Sequence, residues 1–251
     1  SGTVESVGTK VTRFRPGDEV FGESDAGGTF AEYVRVPESM LVSKPDNLTH
    51  AEAAAVPTSA FTALQGLRDK GRIQAGQKVL VNGASGGVGT YAVQIAKSFG
   101  AEVTAVCSTR NVERVTSLGA DRVIDYTTED VPASADRYDR ILDNVGAVPM
   151  GRMRGLLTPS GRLLSNGAPV GGWFGGLGNV ARAAVTSMVN KQQARPFVAT
   201  YVQADHEALK ALVDEGALSP LMDKTFPLDD GAAAVAHVAS GHAQGKTVIT
   251  M

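Results

Sequence analysis

Gly83, Ala84, Ser85, Gly86, Gly87, Val88 and Gly89 stand between an apolar run at 79–82 and a helical pattern at 90–99. A strand, a glycine-rich turn and a helix in that order form a dinucleotide-binding turn. Gly86 lets the backbone approach a pyrophosphate, and Gly89 lets the helix lie close on the strand. The helix start offers free N–H groups and partial positive charge to an anion. That charge term is modest, about 0.3–1 kcal/mol when exposed. Alanine, Ala84, takes the place of the first usual glycine. A glycine motif alone is weak, but the flanking strand and helix supply its confirming context. The plainer reading is a tight turn that holds no ligand.

The end of the next apolar run bears on which nucleotide such a turn would take. A domain that binds NAD commonly places Asp or Glu about 20 residues past the glycines, on the ribose hydroxyls. Here that place reads Cys107, Ser108, Thr109 and Arg110. It holds no acid to repel a phosphate, and its hydroxyls and guanidinium could bind one. A single charge-assisted hydrogen bond contributes about 1.5–3 kcal/mol, which is tenfold or more in affinity. NADPH is therefore the expected cofactor. The competing reading makes Arg110 a solvated residue at a helix start.

These residues need a frame to hold them. Residues 1–45 read as short strands, at 3–7, 19–21 and 29–36, with Pro16-Gly17-Asp18 as a turn. Thr49 opens a helix, with Glu52 at capping-box spacing. Pro57 interrupts it, and a second helix follows over 59–70. From Lys78 the pattern becomes alternating strands and helices. Strands are expected at 79–82, 103–107, 123–126, 140–144 and 162–165. Tyr91, Ile95 and Phe99 share one face of the helix at 90–99, and Val112, Val115 and Leu118 line the next, which Gly119 stops. Apolar runs separated by helices imply a parallel sheet covered on both faces. A glycine-rich loop after Val170, a strand at 197–202, helices at 206–214 and 232–238, and a strand at 247–250 complete the pattern. Leu209, Leu212 and Val213 form the inward face of the first of these helices.

Composition narrows the function classes. The chain has 251 residues, a net charge of -2 and 43% hydrophobic residues, room for one large domain or two smaller ones. It lacks the basic excess of a nucleic-acid binder. No stretch reaches the roughly 18 apolar residues of a membrane span; glycines, Asn179 and Arg182 break the nearest, at 170–189. Cys107 is the only cysteine, which allows neither an internal disulfide nor a cysteine-cluster zinc site. That usage fits a reducing, cytoplasmic compartment.

Several stretches, in order, cover nearly the whole chain: PGDEVFG, TFAEYV, AAAVPTSAFTALQGL, VLVNGASGGVGTYAVQIAKSFGAEV, SLGADRVIDY, DNVG and FPLDDGAAAVAHVASGHAQGKTVI. They resemble the zinc-independent quinone oxidoreductase branch of the medium-chain dehydrogenase/reductase superfamily. The likeness is nearest to the reticulon-interacting and zeta-crystallin-like NADPH oxidoreductases. The resemblance implies an α/β fold, with a doubly wound parallel-sheet Rossmann domain and a partial, mainly β GroES-like catalytic domain. It divides the chain at 1–57 for the catalytic domain, 58–202 for the Rossmann domain and 203–251 for the return to the first. Family members carry a further N-terminal stretch, so the resemblance implies an incomplete catalytic domain with unpaired edges and exposed apolar surface.

The resemblance also assigns contacts. Ser85, Gly86, Gly87 and Val88 match the phosphate-binding turn, while Ser108, Arg110 and Tyr126 match the surroundings of the 2′-phosphate and adenosine. Asn144 and Val145 fall at the carboxyl end of a strand, where cofactors rest in doubly wound sheets. Thr62 matches a position near the nicotinamide, and Gly241, Ala243 and Gln244 match a loop that touches cofactor. For Tyr126 the alternative is core packing, for Thr62 a hydroxyl bonded to its own helix, and for the last loop a simple turn. Homodimers are common in this family.

Zinc-dependent relatives carry a cysteine-rich lobe where this chain has none between Val20 and Ala31. His50, His206, His237 and His242 lack ligand spacing and read as surface or helix residues. Without a Lewis acid the chemistry suits acceptors that take hydride unaided, namely quinones and α,β-unsaturated carbonyls. No residue stands out as proton donor. Trp173, Phe174 and Tyr201 are candidates to line an apolar pocket, or to pack a core. The other readings are an enoyl-thioester reductase, a metal-free alcohol dehydrogenase, and a non-catalytic NADPH-binding redox sensor.

Overall fold

The computed structural model describes residues 1–24, 27–166, 193–241 and 243–251. Trp173, Phe174, His242 and the loop expected after Val170 lie outside them. The chain forms two compact units, Ser1–Phe61 with Thr200–Met251, and Thr62–Ala199.

The second unit is built on a six-stranded parallel sheet. Its strands are β4 (Lys78–Asn82), β5 (Glu102–Cys107), β6 (Arg122–Asp125), β7 (Tyr138–Asp143), β8 (Leu157–Ser165) and β9 (Gln193–Pro196), in the spatial order β6-β5-β4-β7-β8-β9. The chain steps outward from β4 to β6, returns to β7, and steps outward on the other side. That reversal leaves a crevice over the carboxyl ends of β4 and β7, where doubly wound sheets bind ligands. In β5 every residue after Glu102 is buried, as a sheet covered on both faces requires.

Helix α3 (Gly87–Ser98) follows β4, and α4 (Val112–Ser117) follows β5. Tyr91 and Ile95 are fully buried. Each such side chain contributes about 1.5–3 kcal/mol, more than the phosphate–dipole attraction of about 0.3–1 kcal/mol. Packing, not ligand, therefore sets where the start of α3 points. A short helix α5 (Met150–Arg154) precedes β8; the sequence pattern did not reveal it.

Three sequence expectations need correction. The strand at 197–202 is instead β9, four residues earlier, paired with β8 from Arg162↔Gln193 to Ser165↔Pro196. Pro196 can end an edge strand because it lacks only a donor there, and the side chain of Phe197 packs against Gly66. The segment at 29–36 is no strand, and Phe30, Tyr33 and Val34 are exposed. Its β-branched and aromatic residues favour a strand but do not suffice for one, since a strand also needs a neighbour to pair with. The first strand is only β1 (Gly2–Thr3); beyond it Val4 donates to the Asp18 carbonyl and Gly17 to the Val4 carbonyl.

In the first unit, β1, β2 (Glu19–Gly22) and β3 (Leu41–Ser43) form an antiparallel sheet. A second pair, β10 (Met222–Pro227) and β11 (Lys246–Thr250), runs parallel. Helix α1 (His50–Ala55) starts with the expected capping box, in which Thr49 and Glu52 exchange bonds. Helix α6 (Gln203–Asp214) packs on β3, and α7 (Gly231–Ala239) on β10 and β11. The N- and C-terminal segments meet where Asn47 donates to the Val213 carbonyl at 2.9 Å. Helix α2 (Pro57–Leu64), with Pro57 at its first position, carries the chain into the second unit and continues as a π-helical turn, Gln65–Gly71.

Candidate cofactor site

β4 ends at Asn82, and the chain turns at Gly83 with φ +74°. The glycines of this turn answer to different demands. A Cβ on Gly89 would lie 2.1 Å from the Gly83 carbonyl oxygen, so α3 can sit on β4 only with glycine there. A Cβ on Gly83 would meet Val145 Cγ2 at 2.6 Å. Gly86 differs: its φ is -82°, and a Cβ there would meet no atom closer than 3.5 Å. Among the described residues nothing requires glycine at 86. A Cβ there would make only ordinary contact with the Gly83 carbonyl, so the bare backbone at the start of α3 is free to be approached closely, as a pyrophosphate-binding turn requires.

The carboxyl ends of β4 and β7 are tied together by a polar network. The buried Asp143 Oδ1 accepts from Asn82 Nδ2 at 2.8 Å, from the Val145 N–H at 3.1 Å and from the Gly146 N–H at 3.0 Å. Asn144 Nδ2 donates to the Asn82 carbonyl at 3.1 Å. Asn144 Oδ1 and Asn166 Oδ1 are buried acceptors without a partner among the described residues. They follow β7 and β8 one residue beyond the Asp143↔Ser165 pair, on adjacent strands. A buried unpaired acceptor costs about 1–3 kcal/mol. A ligand carrying an amide donor, such as a nicotinamide carboxamide, has the group these oxygens lack.

At the end of β5, Ser108 and Ser85 are bridged by one side chain. Asn111 Nδ2 donates to both serine hydroxyl oxygens at 3.1 Å. The Thr109 hydroxyl is turned elsewhere: it donates to Asp125 Oδ2 at 2.5 Å and lies 2.8 Å from the Thr127 hydroxyl. An acid therefore does stand beside this loop, although it belongs to β6. Hydrogen bonds from Thr109 and Thr127 hold the Asp125 carboxyl below the usual carboxylate range. Arg110 is exposed on the short turn Thr109–Asn111, and Tyr126 lies exposed beyond β6.

The second unit thus brings Ser85, Gly86, Gly87, Val88, Gly89, Ser108, Thr109, Arg110, Tyr126, Asn144 and Val145 to the carboxyl ends of β4, β5, β6 and β7. Thr62 is half-buried in α2. Gly241, Ala243 and Gln244 lie in the first unit after α7, with Gly241 at φ +72°. Tyr201 packs its ring 4.9 Å from that of His206 and donates its hydroxyl to the Ser39 carbonyl at 2.5 Å, all within the first unit. His206 takes the helix alternative rather than the surface one: it lies in α6 and is fully buried. Sequence reasoning missed Asn82, Asn111, Asp143 and Asn166. Polar residues closing apolar runs were the available signal for three of them. Asn111 carried no such signal.

Comparison with known proteins matches residues 118–249 to the family described as zinc-binding dehydrogenase, and residues 1–46 to the alcohol dehydrogenase GroES-like domain. The chain is 35% identical over 275 residues to the mitochondrial NAD(P)H oxidoreductase RTN4IP1 of Mus musculus, covering 100% of the chain and 69% of that protein. It is 33% identical over 267 residues to the trans-enoyl reductase pgmF of Aspergillus terreus, covering 95% of the chain and 70% of that protein. The quinone oxidoreductase of Coxiella burnetii has a structure similar to this one, with a TM-score of 0.86 and 27% identity, over 100% of the chain and 77% of that protein.

Proposed function

This chain belongs to the medium-chain dehydrogenase/reductase superfamily, alongside its quinone oxidoreductases and enoyl reductases, and from that membership we propose that it transfers hydride from NADPH to a quinone or an α,β-unsaturated carbonyl without a metal. The observation that carries the cofactor reading is Gly86, whose missing side chain answers to no close contact among the described residues. The backbone N–H groups of Gly87 and Val88, with the Ser85 hydroxyl, would hold the pyrophosphate at the start of α3. Ser108 and Arg110 would hold the 2′-phosphate, and Tyr126 would flank the adenosine. Asn144 and Val145 would border the nicotinamide, and Thr62 is assigned to the same end. When bound, the dihydronicotinamide supplies the hydride. The residues around it bind and orient, which is the protein's share in such chemistry.

The metal-free reading rests on the residues available. Cys107 is the only thiol, and burial followed by the Asp125 charge pushes it up to about 11. A thiol must lose its proton to bind zinc, and this one resists that loss. The same single thiol favours a reducing compartment such as the cytoplasm. Activity is expected to survive EDTA; loss on chelation, restored by zinc, would count against this reading.

Titration with NADPH and NADH, followed by nicotinamide fluorescence, tests the cofactor assignment. Tight binding of NADPH and weak binding of NADH is the expected result; binding of neither would overturn it. The similarity to a trans-enoyl reductase favours one second reading, an enoyl-thioester reductase. Turnover of a quinone, an enone and an enoyl thioester side by side separates the two. The family leads us to expect a homodimer, which sedimentation of the purified chain would read.

A further inference from the structure

Asn111 occupies the N-cap position of α4, yet its side chain makes no cap bond. Asparagine is among the best N-cap residues, and a cap is worth about 1 kcal/mol. Here the side chain is buried and gives its amide nitrogen to Ser85 and Ser108 instead, each at 3.1 Å, while its Oδ1 has no partner among the described residues. Ser108, the N-cap of the turn Thr109–Asn111, likewise makes no side-chain cap bond. The two side chains forgo their local partners for each other.

The consequence lies in the hydroxyl hydrogens. A serine hydroxyl has one hydrogen to donate and lone pairs to accept. Each of these two accepts an amide hydrogen from Asn111, so each retains its own hydrogen for something else. Ser85 belongs to the glycine turn and Ser108 to the end of β5. We propose that Asn111 is a positioning residue that holds Ser85 and Ser108 as ready hydrogen-bond donors to two phosphate groups of one nucleotide, the pyrophosphate and the 2′-phosphate. It would raise affinity for NADPH without touching the nucleotide. The inference rests on the cofactor reading given above.

The test is a mutant cycle read as NADPH dissociation constants from nicotinamide fluorescence, on wild type, Asn111→Leu, Ser85→Ala/Ser108→Ala and the triple variant. Leucine keeps the volume of asparagine and donates nothing. Asn111→Leu should weaken NADPH about tenfold when the serines are present, the size of one to two lost hydrogen bonds. In the alanine background it should change affinity less than twofold. An equal loss in both backgrounds would mean that Asn111 merely shapes the loop, and would overturn the inference; so would no loss in either. Melting of the nucleotide-free variants checks folding. If leucine unfolds the domain, Asn111→Asp serves: a carboxylate would draw both hydroxyl hydrogens to itself, so NADPH affinity should fall more than tenfold, and unchanged affinity would overturn the proposal. Wild type that binds neither NADPH nor NADH would sink the cofactor reading and this inference together, whereas the variant outcomes bear on Asn111 alone.

Discussion

Arg110 stands exposed on a three-residue turn, three positions past the buried end of β5. The loop around it mixes opposite charges, since Thr109 ties the Asp125 carboxylate to the same turn. Which charge governs the nucleotide choice is a matter for substitution. Arg110→Glu should weaken NADPH binding about tenfold or more, by placing a negative charge beside the 2′-phosphate in place of a charge-assisted bond. NADH binding should stay within about twofold. Fluorescence titration with both nucleotides measures this, and equal affinities before and after would put Arg110 outside the site. The sequence exposed Ser108, Thr109 and Arg110 as a set. It did not show that the threonine hydroxyl is committed to Asp125, because that contact joins residues 16 positions apart, one on the turn after β5 and the other at the end of β6.

The strand–turn–helix element from β4 to α3 separates packing from binding. Gly89→Ala would drive a methyl into the Gly83 carbonyl, which is 2.1 Å from the required Cβ position. Overpacking of this kind costs about 1–3 kcal/mol, so melting temperature should fall by several degrees. Gly86→Val meets no such obstacle, since among the described residues its Cβ meets nothing closer than 3.5 Å and its φ of -82° suits any residue. That variant should melt close to wild type and lose NADPH affinity by about tenfold or more, because the backbone no longer reaches the pyrophosphate. If both variants lose stability alike, the distinction between the glycines fails. The motif alone reads all its glycines as one signature. Only the packed element shows that one serves the fold and another answers to no close contact among the described residues.

Across the whole molecule, the first unit carries an acid-sensitive group of its own. His206 is fully buried in α6 against the rings of Phe21, Phe61 and Tyr201. Burial pushes its pKa below the ordinary 6.5, against the opposing charges of Glu23 and Asp205. The folded state therefore resists a proton that the unfolded chain accepts. Stability contributed by the neutral ring is full above about pH 6.5 and declines as pH falls from there toward the lowered folded value. His206→Leu should flatten that part of the stability profile. Urea unfolding at several pH values would show it, and an unchanged slope would remove His206 from the account. In the described residues no helix is long and apolar enough to cross a membrane.

The sequence by itself determined the parallel sheet, because buried runs such as 79–82 and 103–107 alternate with amphipathic helices, and hydrophobic periodicity is a local property. It also determined the glycine turn and the cap at Thr49, since both depend on residues within a few positions of each other. The tertiary structure decided the rest. It moved the sixth strand to Gln193–Pro196, because an edge strand takes its register from β8 rather than from its own propensity. It left 29–36 without a ladder, because pairing needs a partner that composition cannot name. It joined Asn111 to Ser85 across 26 residues, and Asn82 to Asp143 across 61. Hydrogen bonds over such separations exist only once the strands lie side by side, so no local pattern could have announced them.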